Sequence, residues 1–423
     1  MTPRRNRPSL PTLSLASLVA LAAPPAPDVA WKATDHKAIA EDVAAYWDAR
    51  DEKKGISDAL EKLEKSLQRI EKKYAAQPLL TCVEDWEAVF CAASLLGSAK
   101  QANDANKKAK LGKVYEETLE SDDRSSSLAL SFPKSYKATG PPLPLVLLIP
   151  DAGKKPKVHL DESWTDAAGR ENAILAAVEM PADPACWGKM ELSEPSGVSA
   201  VMTAFGLMTK YYAVDLDRVF LAGTGPGITA ALATAASYPH CFAGVVGRGD
   251  APEWSPVTNF SIVPTLFVSG GTFATAFAEA RKAAGNENCT VLNGGTEADI
   301  WAWMAARPRE AYPSALEFVP YTPYGAVCSW IMTAGFEVGQ GPKVTAKADR
   351  AANTITVTAE NVVSVHLLLN DRLADLGKVV KVVINGETRE LLPERNRRSM
   401  IDRCFDWGDW GRVFTVTQSF DVK

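Results

Sequence analysis

The run from Asp217 to Thr229 (DRVFLAGTGPGIT) limits the fold more than any other stretch of the chain. An apolar strand enters a tight turn with glycines at 223, 225 and 227, and the chain leaves that turn as the Ala-rich helix Ile228–Ser237. Strand, turn and helix in direct succession is the building unit of α/β folds. The same alternation surrounds it. Ser127–Phe132 and Leu145–Ile149 read as strands around the turn Gly140-Pro141-Pro142, and Ile174–Glu179 is another short apolar run. Gly197–Tyr212 reads as an amphipathic helix, Phe242–Val246 and Pro264–Ser269 as strands, and Ala274–Ala284 as a helix before Cys289–Leu292. Trp301–Arg307 closes the series as a helix. Apolar strands alternating with helices predict an α/β domain over 113–338, its mostly parallel sheet covered on both faces.

At 423 residues the chain exceeds one ordinary domain of about 150 residues, and the flanks differ from the centre. Residues 27–112 read as a helical segment, Asp35–Arg50 and Ile56–Tyr74 being rich in Ala, Glu, Lys and Leu. Leu60, Leu63, Leu67 and Ile70 form one apolar stripe, followed by the apolar Cys82–Leu96 and the Lys-rich Ala99–Leu111. Such a stripe fits either a partner-binding helical module or an appendage packed on its own chain. After Gly339-Gln340-Gly341-Pro342 the periodicity falls to two. Lys343–Asp349, Asn353–Ala359, Val363–Asn370, Val379–Ile384 and Val413–Phe420 read as strands, with Asn385-Gly386 as a hairpin turn. A β-only C-terminal domain over 339–423, a β-sandwich, is expected.

The first 26 residues read as a signal peptide. Arg4, Arg5 and Arg7 precede the apolar Leu13–Ala23, and Ala23-Pro24-Pro25-Ala26 offers cleavage after Ala23 or Ala26. The apolar run is shorter than the ~18 residues of a spanning helix. The expected location is secreted or periplasmic, with membrane anchoring if the segment is not cleaved. Seven cysteines (Cys82, Cys91, Cys186, Cys241, Cys289, Cys328, Cys404) leave at least one thiol without an intramolecular disulfide partner. No C-x-x-C pair exists, and the four histidines (His36, His159, His240, His366) offer no zinc spacing, so no metal is expected. A net charge of −5 gives no electrostatic reason for a nucleic-acid partner.

The turn at Gly223–Gly227 sits in the strand–turn–helix context of the G-x-S-x-G nucleophile elbow. Here the chain resembles the α/β-hydrolase superfamily, in particular its secreted esterase and peptidase-like branch. Tyr211–Val219 resembles the family's approach to the elbow strand, Tyr238–Val246 its next strand, and Val263–Gly271 the one after. The resemblance covers about residues 113–325 and implies an ancestral ester or peptide substrate.

The family's catalytic residues do not carry over. The nucleophile position is Gly225, which has no oxygen, and the oxyanion position that follows it is Pro226, which has no N–H. Loss of one such donor costs ~3–4 kcal/mol of transition-state stabilisation in a hydrolase. The family's acid position falls in Gly271-Thr272-Phe273-Ala274, which has no carboxylate, and its histidine position in Asn293–Asp299, which has no histidine. A glycine tolerates the strained elbow conformation, and a proline suits the first turn of a helix.

Two residues could rescue chemistry: Thr224, one place off register, and Asp250, in the loop Arg248-Gly249-Asp250. Asp151-Ala152-Gly153 stands where the family builds the rest of its oxyanion hole, so Asp151, Ala152, Gly153, Gly223, Thr224, Gly225 and Pro226 are the expected pocket lining. Read instead as a phosphate loop, Gly223-x-Gly225-x-Gly227 lacks the dinucleotide spacing and a Walker lysine, so no cofactor is expected. Trp301, Trp303, Trp407 and Trp410 could form a platform for sugars or protein, or fill a core. The segments Leu367–Leu373 and Val382–Gly386 resemble β domains appended to secreted bacterial hydrolase-like proteins. The expectation is an exported, non-catalytic binding or scaffolding protein whose partner is a peptide, ester or polysaccharide ligand or another exported protein. The alternative is an active ester or peptide hydrolase with a displaced nucleophile, marked by a hydroxyl or thiol beside His159 or His240.

Overall fold

The computed structural model describes residues 30–121, 124–190, 196–251, 257–269, 271–323, 325–336, 339 and 341–422. The signal peptide expected over 1–26 lies outside them. Three helices open the described chain: α1 (Ala33–Asp51), α2 (Ile56–Lys73) and α3 (Val83–Lys108). The central sheet follows. Its first half holds β1 (Val114–Ser121), β2 (Arg124–Ser131), β3 (Leu143–Ile149), α4 (Pro156–Ser163), the single turn α5 (Ala167–Arg170) and β4 (Ile174–Val178). The second half holds α6 (Gly197–Tyr211), β5 (Val214–Thr224), α7 (Gly227–Ser237), β6 (Gly244–Arg248), β7 (Thr265–Val268), α8 (Gly271–Ala283), β8 (Cys289–Leu292) and α9 (Glu297–Ala305).

Among the described residues these strands form one eight-stranded sheet in the order β1-β2-β4-β3-β5-β6-β7-β8. β2 runs antiparallel to both its neighbours, and β4, β3, β5, β6, β7 and β8 are mutually parallel. Alternation along β3 shows both faces covered: Leu145, Leu147 and Ile149 enter one apolar core, while Val146 and Leu148 enter the other. β4 is buried throughout, as a parallel strand between two helical layers must be. The β3–β5 register shifts between Leu143 and Leu145, at Pro144, a residue with no N–H to give a ladder.

The C-terminal domain begins earlier than the sequence indicated. β9 (Ala315–Phe318), β10 (Ala326–Cys328) and β11 (Ile331–Ala334) pair with the later strands β12 (Lys343–Asp349), β13 (Thr354–Glu360), β14 (Ser364–Leu369), β15 (Val380–Ile384) and β16 (Glu387–Leu391). After these come α10 (Arg397–Trp407) and β17 (Val416–Asp421). The sheets run β16-β15-β13-β12-β9 and β10-β11-β14-β17. Val344, Val357 and Val382 from the first share one core with Ile331, Val365 and Phe420 from the second, so the unit is a sandwich. Two expectations are corrected. Strand pairing into the sandwich starts at Ala315, not at 339, and α10 means the domain is not β-only. The hairpin expected at Asn385-Gly386 is present: both residues have positive φ (48° and 86°) and join β15 to β16.

Of the two readings of the helical segment, the structure supports packing on its own chain. Leu63, Leu67, Ile70, Trp47 and Phe90 share a core with Met400, Ile401 and Cys404 of α10 and with Val413. Tyr46 Oη donates to Asp402 Oδ1 at 2.6 Å, and Arg397 pairs with Glu64 at 2.5 Å. The α/β domain is joined to the sandwich by buried charge. Arg309 donates to Asp217 at 2.8 Å and to both oxygens of Asp409 at 2.9 and 2.6 Å, and Arg412 donates to Asp409 at 2.6 Å. Burial works to raise the Asp409 carboxyl, but the two guanidinium groups prevail and hold it well below the usual carboxylate range. All seven cysteines are free thiols. No described helix is long and apolar enough to cross a membrane.

Candidate functional site

The parallel strands aim their C-terminal ends at one edge, where the β5–α7 turn lies. Gly225 has φ +55°, the left-handed conformation an elbow requires, and Pro226 (φ −56°, ψ −23°) starts the helical path of α7. Each glycine there allows a close approach. A side chain at Gly223 would strike the backbone of Gly227 and Ile228, and a Cβ at Gly227 would lie 2.5 Å from the Ile149 carbonyl oxygen. At Gly225 the obstacle is chemical as well as steric: a Cβ there would lie 2.5 Å from Asp151 Oδ1 and 3.0 Å from Asp151 Cγ. The carboxylate of Asp151 thus stands against the nucleophile position.

Asp151 also accepts from the residue that follows it. Ala152 N–H donates to Asp151 Oδ1 at 2.8 Å. Pro226 has no N–H to add, and the Gly225 N–H donates to the Arg248 carbonyl at 3.3 Å. Of the expected lining, Asp151 and Gly225 are brought together, while Gly153 (φ +74°) lies on the exposed side of the β3–α4 turn. The hydroxyl of Thr224, half-buried opposite Arg248 in the β5–β6 register, has no hydrogen-bond partner among the described residues. Asp250 is exposed and accepts the Ala251 N–H at 3.1 Å. It stands against the start of α8, where a Cβ at Gly271 would lie 3.0 Å from its carboxylate.

Neither histidine of the α/β domain is placed as a base. His159, on α4, is fully buried, and neither ring nitrogen has a hydrogen-bond partner among the described residues. Burial, then the charges of Lys154 and Arg248, lower its pKa to about 4. His240 follows α7; burial, then Arg412, drives it well below the ordinary value, and its Nδ1 has no partner among the described residues. Its neighbour Cys241 is pushed up to about 12 by burial, the opposite of an activated thiolate. The sequence reading passed over Arg248. Its guanidinium donates to the Ser163 carbonyl and lies 5.3 Å over the Trp164 ring, bracing α4 against the sheet edge. A charged residue closing an apolar strand was its one signal. Among the described residues no group of His, Cys, Asp and Glu could hold a metal ion.

The strand order with an antiparallel second strand, and the β5–α7 elbow at the sheet's C-terminal edge, define an α/β-hydrolase fold. No protein-family model and no curated protein matches the chain. Solved structures similar to it include a thermostable esterase, 12% identical, over 46% of this chain and 63% of that one, with a TM-score of 0.37. An S-formylglutathione hydrolase from Staphylococcus aureus is 12% identical over 46% of this chain and 98% of its own, with a TM-score of 0.36. An esterase from the archaeon Pyrobaculum calidifontis is 14% identical over 58% of this chain and 96% of its own, with a TM-score of 0.35. The chain spans under two thirds of the first of these. At such scores the overlays carry no argument, and the fold assignment rests on strand order and the elbow.

Proposed function

We propose that this is an exported, non-catalytic α/β-hydrolase-fold protein that acts by binding or scaffolding. One observation carries the reading: an Asp151 carboxylate oxygen lies 2.5 Å from where a Cβ at Gly225 would stand, and it takes the Ala152 N–H. Acyl transfer needs donors aimed at developing negative charge. A fixed carboxylate at that point supplies the opposite field. The rival reading, a hydrolase with a displaced nucleophile, would be favoured by a hydroxyl or thiol beside His159 or His240; neither nitrogen of His159 and not Nδ1 of His240 has a partner among the described residues.

The test is intact-mass analysis after fluorophosphonate treatment, alongside turnover of short-chain esters and peptides. No adduct and no turnover are expected; a stoichiometric adduct with turnover overturns the reading. Export is tested separately by the N-terminus of the protein recovered from its native cells. A start just after Ala23 or Ala26 is expected, and an intact Met1 in the cytoplasmic fraction overturns it.

A further inference from the structure

The dipeptide Asn-Gly occurs twice in the chain, at Asn293-Gly294 and at Asn385-Gly386. Both pairs stand in exposed turns, the first between β8 and α9, the second in the β15–β16 hairpin. Their glycines match closely. Gly294 has φ +85° and Gly386 +86°, and a Cβ at either would meet nothing within 4 Å.

The asparagines differ. Asn385 Oδ1 accepts from the Ala359 N–H at 2.9 Å, and its Nδ2 donates to the Ala359 carbonyl at 3.0 Å, so both ends of the amide are tied to β13. Its backbone is held there as well, the N–H donating to the Val357 carbonyl at 3.0 Å. Asn293 is exposed, and neither its side-chain amide nor the Gly294 N–H has a hydrogen-bond partner among the described residues. That contrast decides reactivity. The carbonyl carbon of an asparagine side chain is electrophilic, and the next backbone nitrogen can close a five-membered ring on it. A Cβ on the following residue crowds that nitrogen, and glycine has none. A free amide can turn its carbon toward the nitrogen. A doubly bonded one must first open locally and give up both hydrogen bonds.

We propose that Asn293 is a site of spontaneous deamidation and that Asn385 is spared. The Gly294 nitrogen loses its proton to hydroxide and bonds to Asn293 Cγ. The Cγ–Nδ2 bond breaks, and the nitrogen leaves as ammonia with a proton drawn from water, which restores the hydroxide. Water then opens the succinimide at either carbonyl, giving aspartate or isoaspartate. One water enters, one ammonia leaves, and nothing is oxidised or reduced. The product carries a new negative charge three residues before Thr296, the cap of α9, whose first turn already holds Glu297 and Asp299. Isoaspartate also lengthens by one carbon the backbone that links the edge strand β8 to that helix. The chemistry is independent of any ligand or activity of the chain.

The test incubates the folded full chain in mildly alkaline buffer and follows both sites by peptide mapping, where each event adds about 1 Da. Labelling by an isoaspartyl methyltransferase identifies the isoaspartate product. Position 293 is expected to convert at least about tenfold faster than position 385, a ratio equivalent to ~1.4 kcal/mol of local opening. Conversion should quicken as pH rises, and Asn293→Ser should remove the dominant acidic species. In guanidinium the two rates should converge, because the hydrogen bonds that shield Asn385 are gone. The proposal is overturned if Asn293 stays intact in the folded chain or if the two sites convert at equal rates there. It is equally overturned if the difference persists on unfolding, since flanking sequence rather than the fold would then set it.

Discussion

At the C-terminal end of β5 the special residues are glycines that let backbones approach, and the nearest charge, Asp151, is exposed. At its N-terminal end Asp217 meets Arg309, which grips Asp409 in a largely buried set of charges with Arg412. In an active α/β hydrolase the perturbed groups belong at the first end. Here the ion-paired set lies at the second, tying the α/β domain to the sandwich, while at the first end His159 is shifted down by burial and neighbouring positive charge with no partner on its ring among the described residues. The buried ion-paired charges therefore mark an architectural joint in this chain.

Breaking that joint is expected to have the largest effect. Arg309→Ala strands the Asp409 carboxylate beside Arg412 and should cost about 3–5 kcal/mol of unfolding free energy in a denaturant titration. A loss under 1 kcal/mol would show the network to be dispensable. At the other end, Gly225→Ser should cost about 1–3 kcal/mol, because φ is +55° and the new Cβ meets Asp151. It should yield no fluorophosphonate adduct, and adding Asp151→Gly should recover part of the stability without recovering turnover.

A third measurement sharpens the contrast through pH. Glu87 of α3 accepts from Tyr312 Oη at 2.8 Å, and burial pushes its carboxyl from 4.5 up to about 7, against the pull of nearby Arg372. The folded state holds a proton that the unfolded chain releases. Its contribution to stability is complete below pH 4.5 and is lost as pH rises through 7. Glu87→Gln should remove about 2 kcal/mol of this pH dependence, allowing for the side chain's partial exposure. Parallel stability–pH curves for the two proteins would refute the assignment. The smallest effect is Gly206→Ala in α6, which should raise stability by about 0.5–1 kcal/mol through helix propensity, read as a higher denaturant midpoint.

The central sheet was legible because its signal is local: β3, β4 and β5 are short apolar runs bounded by turns, and each helix carries its own periodicity. The turn between β5 and α7 was equally legible, since Gly223, Gly225, Pro226 and Gly227 sit in one pentapeptide. What could not be read was pairing across distance. Glu116 and Glu117 gave β1 too polar a look to stand beside Ser127–Phe132, and only its register with β2 makes it a strand. The early strands β9, β10 and β11 were assigned to the wrong domain because nothing local says that Leu316 faces Ala346. Asp151 was placed in the pocket region, but its contact with Gly225 depends on how two turns face each other. The approach of Trp47 to the Phe405 ring, 6.2 Å between centroids, was invisible for the same reason. Trp407 and Trp410 were noted, but Trp47 belongs to α1, far from them in sequence.

The shared core of the first helices and α10 also sets a timetable. Leu63, Leu67 and Ile70 bury their apolar stripe against a cluster that includes Met400, Ile401, Cys404 and Val413. On a ribosome adding about 5–20 residues per second, the stripe waits roughly 15–65 s for those partners. Through that interval the stripe packs on Ile39, Val43, Trp86 and Phe90 of α1 and α3 but lacks its α10 side, and closing that contact requires a loop of more than three hundred residues, as the Tyr46–Asp402 separation of 356 positions records. A late segment of the chain thus latches an early one, and a chain truncated before residue 397 would leave one side of the helical core, where Met400, Ile401, Cys404 and Val413 pack, open to solvent.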